Sequence, residues 1–128
     1  MKHPALLAVA LVAMSAFALP ALAADDVAKA MDTPAGKVLA DAKGMTLYTF
    51  DQDMGGKSAC NGPCAQNWPP LMAGADAKGH GDWSVVTRDD GSKQWAVKGK
   101  PLYTFAKDAK SGETNGDGFK GIWHVAKP

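Results

Sequence analysis

Short runs of alternating apolar and polar residues predict β-strands along most of the chain, and turn-forming residues separate them. No apolar spacing of the helical period is sustained after the first two dozen residues. The runs that predict strands are 37–42, 45–50, 83–88, 93–98, 102–105 and 122–126. We therefore expect an all-β fold, a small antiparallel domain of about six or seven strands.

Glycine, proline and asparagine mark where these strands end. Lys43-Gly44 and Asp89-Asp90-Gly91 are typical of hairpin turns. The prolines of Trp68-Pro69-Pro70-Leu71 predict an extended edge segment, because proline cannot donate to a sheet ladder. Long loops are expected over 51–67 and 106–120.

The start of the chain has the pattern of an export signal. Basic Lys2 precedes an apolar run over 5–19, and Ala21-Leu22-Ala23 resembles a signal peptidase site. The alternative, a membrane anchor, needs roughly 20 apolar residues. We predict removal of residues 1–23, with cleavage after residue 23 or 24, a flexible lead-in over 24–35 and a single β domain over 36–128. No cysteine follows the apolar run to accept a lipid. A protein without a stable membrane anchor, periplasmic or secreted, is expected.

A repeat with an offset of 55 residues organises the remaining chain. Gly44-Met45-Thr46-Leu47-Tyr48-Thr49-Phe50 returns as Gly99-Lys100-Pro101-Leu102-Tyr103-Thr104-Phe105, and Trp68 returns as Trp123. A repeat of this length normally marks one supersecondary unit that buries its apolar face against its copy. Two tandem repeat units of about 55 residues are predicted, over 36–90 and 91–128.

Charge argues against one class of partner. Removal of residues 1–23 takes away Lys2 alone among the charged residues, which leaves 14 − 1 = 13 basic and 13 acidic side chains. Nucleic-acid binding requires a basic stripe that displaces counterions. We expect no nucleic acid as a partner; the partner is otherwise left open, with a cell-envelope protein and a small ligand as the candidates.

Cys60 and Cys64 are the two cysteines of the chain. In an oxidising compartment, an even and closely spaced pair predicts a disulfide, and the intervening Asn-Gly-Pro favours the turn that closes it. The alternative is copper binding or thiol redox, because soft thiolate and thioether ligands suit Cu(I). Further ligands for copper would come from His80, His124, Met54 and Met72.

Two other binding hypotheses start from the loops and the tryptophans. Asp51, Asp53 and Gly55 begin like a calcium loop but lack the distal glutamate of an EF-hand. The second loop is rich in oxygen donors at Asp108, Glu113, Asn115 and Asp117. The tryptophans could form a sugar-stacking platform, although such positions in strands are more often core: Trp68, Trp83, Trp95 and Trp123.

One motif occurs once in each unit, as Tyr48, Phe50 and Asp53 and again as Tyr103, Phe105 and Asp108. Tyrosine and phenylalanine two positions apart share one face of a strand. We expect the phenylalanine in the core, the tyrosine ring buried with its hydroxyl bonded, and the aspartate accepting hydrogen bonds from loop N–H groups. The structural interpretation is favoured over a repeated ligand site.

With Cys-x-x-x-Cys and Trp-Pro-Pro-Leu, this motif resembles the bacterial family of secreted-repeat proteins of unknown function. Many of its members are predicted lipoproteins with a Tyr-x-(Phe/Trp/Tyr)-x-x-Asp motif. The resemblance spans about residues 36 to 126, and the chain departs from it by lacking a lipid-acceptor cysteine. In the second unit Asn115 and Phe119 replace the cysteines. The resemblance implies an exported repeat module and no established activity.

These patterns contain no convincing catalytic triad, inward carboxylate pair or phosphate-binding loop. The expectation is therefore a non-catalytic structural or binding module, not an enzyme, with no cofactor.

Overall fold

Each half of the described chain opens with a β-hairpin. The structure is a computed structural model that describes residues 27–128, so the predicted signal peptide lies outside the described residues. In the first hairpin β1 (Ala28–Thr33) pairs with β2 (Gly36–Asp41), and in the second β5 (Trp83–Thr87) pairs with β6 (Lys93–Val97). The other elements are β3 (Tyr48–Phe50), α1 (Pro63–Asn67), β4 (Met72–Ala73), β7 (Lys100–Pro101), a 3₁₀ turn (Phe119–Gly121) and β8 (Trp123–Val125).

The two units exchange strands. β3 of the first unit pairs antiparallel with β8 of the second, with Phe50 opposite Trp123. The equivalent pairing joins Tyr103 of the second unit to Pro70 of the first through an isolated bridge. Each unit therefore completes its neighbour's sheet, as expected for a repeat that is marginal alone.

Backbone hydrogen bonds repeat with the sequence offset of 55. Ala126 donates its N–H to the carbonyl of Leu47 at 2.8 Å. At the equivalent positions, Leu71 donates to the carbonyl of Leu102 at 2.9 Å. The duplicated sequence thus forms a duplicated topology, and the two copies are related by an approximate twofold.

Two buried clusters fill the space between the sheets. The larger cluster contains aromatic residues of both units together with three smaller residues: Tyr48, Trp68, Tyr103, Phe105, Trp123, Val38, Cys60 and Val125. The smaller one consists of aliphatic residues, among them Leu39, Leu47 and Leu102. Leu47 and Leu102 are equivalent under the repeat, and both are fully buried. Both units thus contribute to each cluster, so the two share one hydrophobic interior.

The antiparallel all-β class and the tandem duplication predicted from the sequence are confirmed, with one short helix in addition. A flexible lead-in was predicted over 24–35, but residues 28–33 form β1 and pair along their whole length with β2. The helix α1 was also not predicted. Pro63 begins it, since proline suits the first helical turn, and it ends before Pro69. Within residues 27–128, no helix is long and apolar enough to cross a membrane.

Candidate functional site

The two motif tyrosines lie side by side at the interface between the units. Tyr48 donates its N–H to the carbonyl of Tyr103 at 2.7 Å, and Tyr103 donates to the carbonyl of Tyr48 at 3.0 Å. Both side chains are fully buried. This reciprocal pair sits where the approximate twofold relates one copy to the other.

Each tyrosine then reaches the aspartate of the opposite unit. The hydroxyl of Tyr103 donates to Asp53 Oδ2 at 2.7 Å, which we call the first clasp. The hydroxyl of Tyr48 donates to Asp108 Oδ2 at 2.5 Å, which we call the second clasp. The bonds are crossed, because neither tyrosine bonds the aspartate five positions further along its own unit. Sequence reasoning placed a partner at each hydroxyl but did not identify it.

The second oxygen of each aspartate holds its own loop. Asp53 Oδ1 accepts the N–H of Ala59 at 2.7 Å, and Asp108 Oδ1 accepts the N–H of Asn115 at 3.0 Å. A carboxylate that ends a strand thereby fixes the loop that follows it. Each clasp consequently joins three parts of the chain, namely a tyrosine strand, an aspartate and a loop.

Burial changes the acid–base behaviour of these groups. It raises the pKa of Tyr48 far above its usual range, and the hydrogen bond to Asp108 adds to that effect. Burial likewise raises the pKa of Tyr103. The pKa of Asp53 is raised by loss of hydration, against the lowering effect of the Ala59 N–H, the Tyr103 hydroxyl and the Arg88 charge. Both tyrosines therefore remain protonated donors at neutral pH.

The first clasp continues into a buried cation that the sequence analysis missed. Arg88, 6% exposed, donates to Ser58 Oγ at 3.0 Å and to the Gln94 side-chain oxygen at 2.8 Å. Its second terminal nitrogen donates to the Cys60 carbonyl at 2.7 Å. Ser58 Oγ lies 2.6 Å from the Tyr103 hydroxyl. Since that hydroxyl donates to Asp53, Ser58 donates to Tyr103, and a directed chain of bonds runs from the guanidinium to the carboxylate.

One signal in the sequence could have pointed to this network. Arg88 is the only arginine among 14 basic residues. A planar guanidinium offers five donors in a rigid fork, which suits it to a buried site with several acceptors. Ser58 and Gln94 carry no comparable signal, since their types are common on surfaces.

Four aromatic rings stack in a column behind the clasps. Trp68 and Trp123, the repeated tryptophans, lie parallel with centroids 3.8 Å apart. Phe50 stacks on Trp123 at 4.2 Å, and Phe105 stacks on Trp68 at 4.1 Å. All three stacking contacts join a residue of one unit to a residue of the other. We call these four residues the aromatic column.

The column requires a glycine beside it. A β-carbon on Gly116 would lie 2.6 Å from an atom of the Trp68 ring. The Gly116 N–H also donates to the Tyr48 hydroxyl at 3.2 Å. A side chain at position 116 would therefore disturb the column and the second clasp together.

Cys60 and Cys64 form a disulfide, as the sequence predicted. Cys60 is fully buried in the larger cluster, while Cys64 is half-buried in α1. Cys64 also lines a cleft of about 320 Å³ that runs along the aromatic column. The disulfide thus ties the first loop to the core. The Cys60 carbonyl, in the same loop, accepts the hydrogen bond from Arg88.

The remaining sequence candidates lie apart from one another. Met54 and Met72 are exposed, and His80 lies in an exposed bridge to Trp83. His124 Nε2 lies 2.8 Å from Asp51 Oδ2 at the surface. Among residues 27–128, no three histidine, cysteine, aspartate or glutamate side chains come together as metal ligands would.

The proposed calcium and sugar residues are engaged within the protein. In the second loop, Glu113 accepts the N–H of Lys110 at 2.9 Å and Asp117 accepts the N–H of Val125 at 3.1 Å. Three tryptophans are buried, while Trp83 is half-buried and meets Trp95 edge-on. These side chains do not form an open stacking platform.

The family of this chain follows from a comparison with family models. A model described as a secreted repeat of unknown function matches twice, over residues 29–72 and 84–127. The chain belongs to this family of secreted repeats. The second match starts 84 − 29 = 55 residues after the first, which equals the offset of the sequence repeat. Both matches begin earlier than the predicted units at 36 and 91, because the first strand of each hairpin belongs to its unit.

No curated protein and no solved structure matches the chain significantly.

Proposed function

We propose that this protein is a non-catalytic module of the periplasm or the extracellular space, with a structural or binding role. The observation that carries the proposal is the crossed pair of clasps. The residues that recur in both units, which are the natural candidates for chemistry, bond to one another across the interface. They serve to hold the two copies together.

The state of these groups supports this role. A general base or nucleophile needs access to its substrate and a pKa near the working pH. Tyr48 and Tyr103 are fully buried, and their pKa values are raised away from neutrality. Asp108 is 6% exposed and has both oxygens occupied. Such groups are suited to holding a fold together.

The experiment compares stability with turnover in one set of variants. Asp108→Asn should lower the midpoint of urea unfolding, whereas the exposed Asp76→Asn serves as a matched control and should leave it unchanged. Neither variant should alter a chemical activity, because the proposal assigns none to the protein. Conversion of a substrate by the purified protein, lost in a folded Asp108→Asn variant, would overturn the proposal.

Copper binding or thiol redox is the second candidate, and one observation favours it. Cys64 lines the cleft, so a reductant could approach its sulfur. Titration of free thiols in protein taken directly from the export compartment separates the candidates. The structural role requires no free thiol and no change in melting temperature with Cu(I). Two titratable thiols that bind copper, absent from Cys60→Ser/Cys64→Ser, would establish the second candidate instead.

A further inference from the structure

The cleft beside the aromatic column combines aromatic walls with positive charge. Its lining includes Phe119, which is 37% exposed, and the exposed Lys107 and Lys120. No carboxylate side chain lines the cleft, and neither lysine forms an ion pair among the residues described. The two lysines therefore bring positive charge to the cleft, and Lys120 Nζ lies 5.6 Å from the centroid of the Phe119 ring.

Stacking within the column determines which part of the tryptophans meets the cleft. Trp123 is covered on one face by Phe50 and on the other by Trp68, and Trp68 is covered by Trp123 and Phe105. Both tryptophans can therefore reach the cleft only with their edges. Ring edges are the positive part of the aromatic quadrupole, and they attract the negative face of another ring.

A tight turn of the backbone places Lys120 at the cleft. Its φ is 53°, a left-handed value that a residue with a side chain rarely adopts. Among residues 27–128 one other lysine has such a value, namely Lys98, which with Gly99 forms the tight turn between β6 and β7. Lys120 and Gly121 likewise occupy the two central positions of a tight turn, which the Ile122 N–H closes on the Phe119 carbonyl at 3.1 Å. This turn fixes the backbone from which the Lys120 side chain extends at the cleft.

From these features we propose that the cleft binds a small planar aromatic anion. The ligand's ring face lies on the edges of Trp68 and Trp123, and its carboxylate or sulfonate lies between Lys107 and Lys120. A volume of about 320 Å³ is at the small end of ligand pockets, which fits one or two fused rings. The inference rests on the proposed non-catalytic role in one respect, namely that the ligand is retained unchanged.

Calorimetric titration with 2-naphthoate tests the charge and the ring separately. The intact protein should bind 2-naphthoate roughly tenfold more tightly than the neutral 2-naphthalenemethanol, as expected for a charge-assisted contact. Cyclohexanecarboxylate, an anion without a ring, should bind more weakly than 2-naphthoate. Raising the salt concentration should weaken only the anions.

The variants use the two lysines of unusual φ as a matched pair. Lys120→Asn removes the cleft charge while keeping a residue that tolerates left-handed backbone, and Lys98→Asn makes the same change outside the cleft. Lys120→Asn and Lys107→Gln should each weaken 2-naphthoate binding several-fold to tenfold without affecting 2-naphthalenemethanol. Lys98→Asn should bind as the unchanged protein does.

Equal affinity for 2-naphthoate in the unchanged protein, Lys107→Gln and Lys120→Asn would overturn the inference, as would absence of binding at millimolar concentration. Recovery of intact 2-naphthoate after dialysis agrees with both proposals. Its chemical conversion would instead overturn the non-catalytic role, so the two failures are distinguishable.

Discussion

The first and second clasps share one geometry and differ in what surrounds them. In the first, the Tyr103 hydroxyl accepts a hydrogen bond from Ser58, which in turn accepts one from the buried Arg88. In the second, the Tyr48 hydroxyl receives the backbone N–H of Gly116, and no arginine is present. Asp108 is buried in the second clasp, whereas Asp53 is half-buried in the first. The same tyrosine–aspartate hydrogen bond therefore has different hydrogen-bonding neighbours in the two units.

The comparison shows which features a duplicated fold holds constant. The tyrosine, the aspartate and the loop N–H occur in both copies because they form the joint between the units. The supporting groups can differ, since a hydroxyl acceptor is satisfied equally by a side chain or by the backbone. The first copy uses a side-chain network with a disulfide, and the second uses a glycine in close contact with Trp68.

The largest expected effect tests whether the copies are equivalent at the aromatic column. Trp68→Ala and Trp123→Ala should each lower the free energy of unfolding by roughly 3–5 kcal/mol, because each ring is buried between two others. Urea denaturation measures both. The half-buried Trp83→Ala is the control and should cost less. A loss below about 1 kcal/mol would place these rings at the surface.

Removal of the cation should break the symmetry between the clasps. Arg88→Met should cost about 3 kcal/mol, since it leaves the Gln94 oxygen and the Cys60 carbonyl without their donor. The Ala59 amide of the first clasp should exchange with solvent faster, beyond the change at Asn115 of the second. Arg88→Lys retains the charge without the planar fork and should fall between. Equal acceleration at both amides would show that the clasps are not independently supported.

The two tyrosine hydroxyls should contribute differently to the free energy of unfolding. Tyr48→Phe should cost about 3 kcal/mol, because it leaves the buried Asp108 without its hydroxyl donor. Tyr103→Phe should cost about 1.5 kcal/mol, because Asp53 is better hydrated. Thermal unfolding of the two variants under one condition gives the comparison. The reverse order would mean that the Arg88 network matters more than burial.

Alkaline titration should show both clasps opening together. Because the pKa values of Tyr48 and Tyr103 are raised, the folded protein keeps two protons at alkaline pH. The unfolded chain releases both near pH 10, which is roughly the pKa of free tyrosine. Stability is therefore complete below about pH 10 and falls above it, by about 1 kcal/mol per tyrosine in the next pH unit. These are the only two tyrosines, so phenolate absorption reports them alone.

Phenolate should appear at the pH where tryptophan fluorescence signals unfolding, and Tyr48→Phe should roughly halve the pH dependence. Phenolate absorption at a lower pH than the fluorescence change would show that a clasp hydroxyl ionises in the folded protein.

Much of the architecture was predictable from local pattern. The alternation over 83–88 and 93–98 with Asp-Asp-Gly between them predicts the hairpin that β5 and β6 form. The short strand β1 was missed, because Ala28-Lys29-Ala30 carries little strand signal and gains its order from pairing with β2. The helix α1 is five residues long, which is too short for periodicity to reveal.

The sequence by itself determined that one unit is copied, which residues recur and which of them share a strand face, because these properties depend on spacing along the chain. Only the tertiary structure decided that Tyr48 bonds Asp108, 60 residues away, and that Tyr103 bonds Asp53, 50 residues away. Within one unit, tyrosine and aspartate are five residues apart, and spacing alone cannot distinguish that pairing from the crossed one. The exchange of strands between units brings each hydroxyl to the opposite carboxylate.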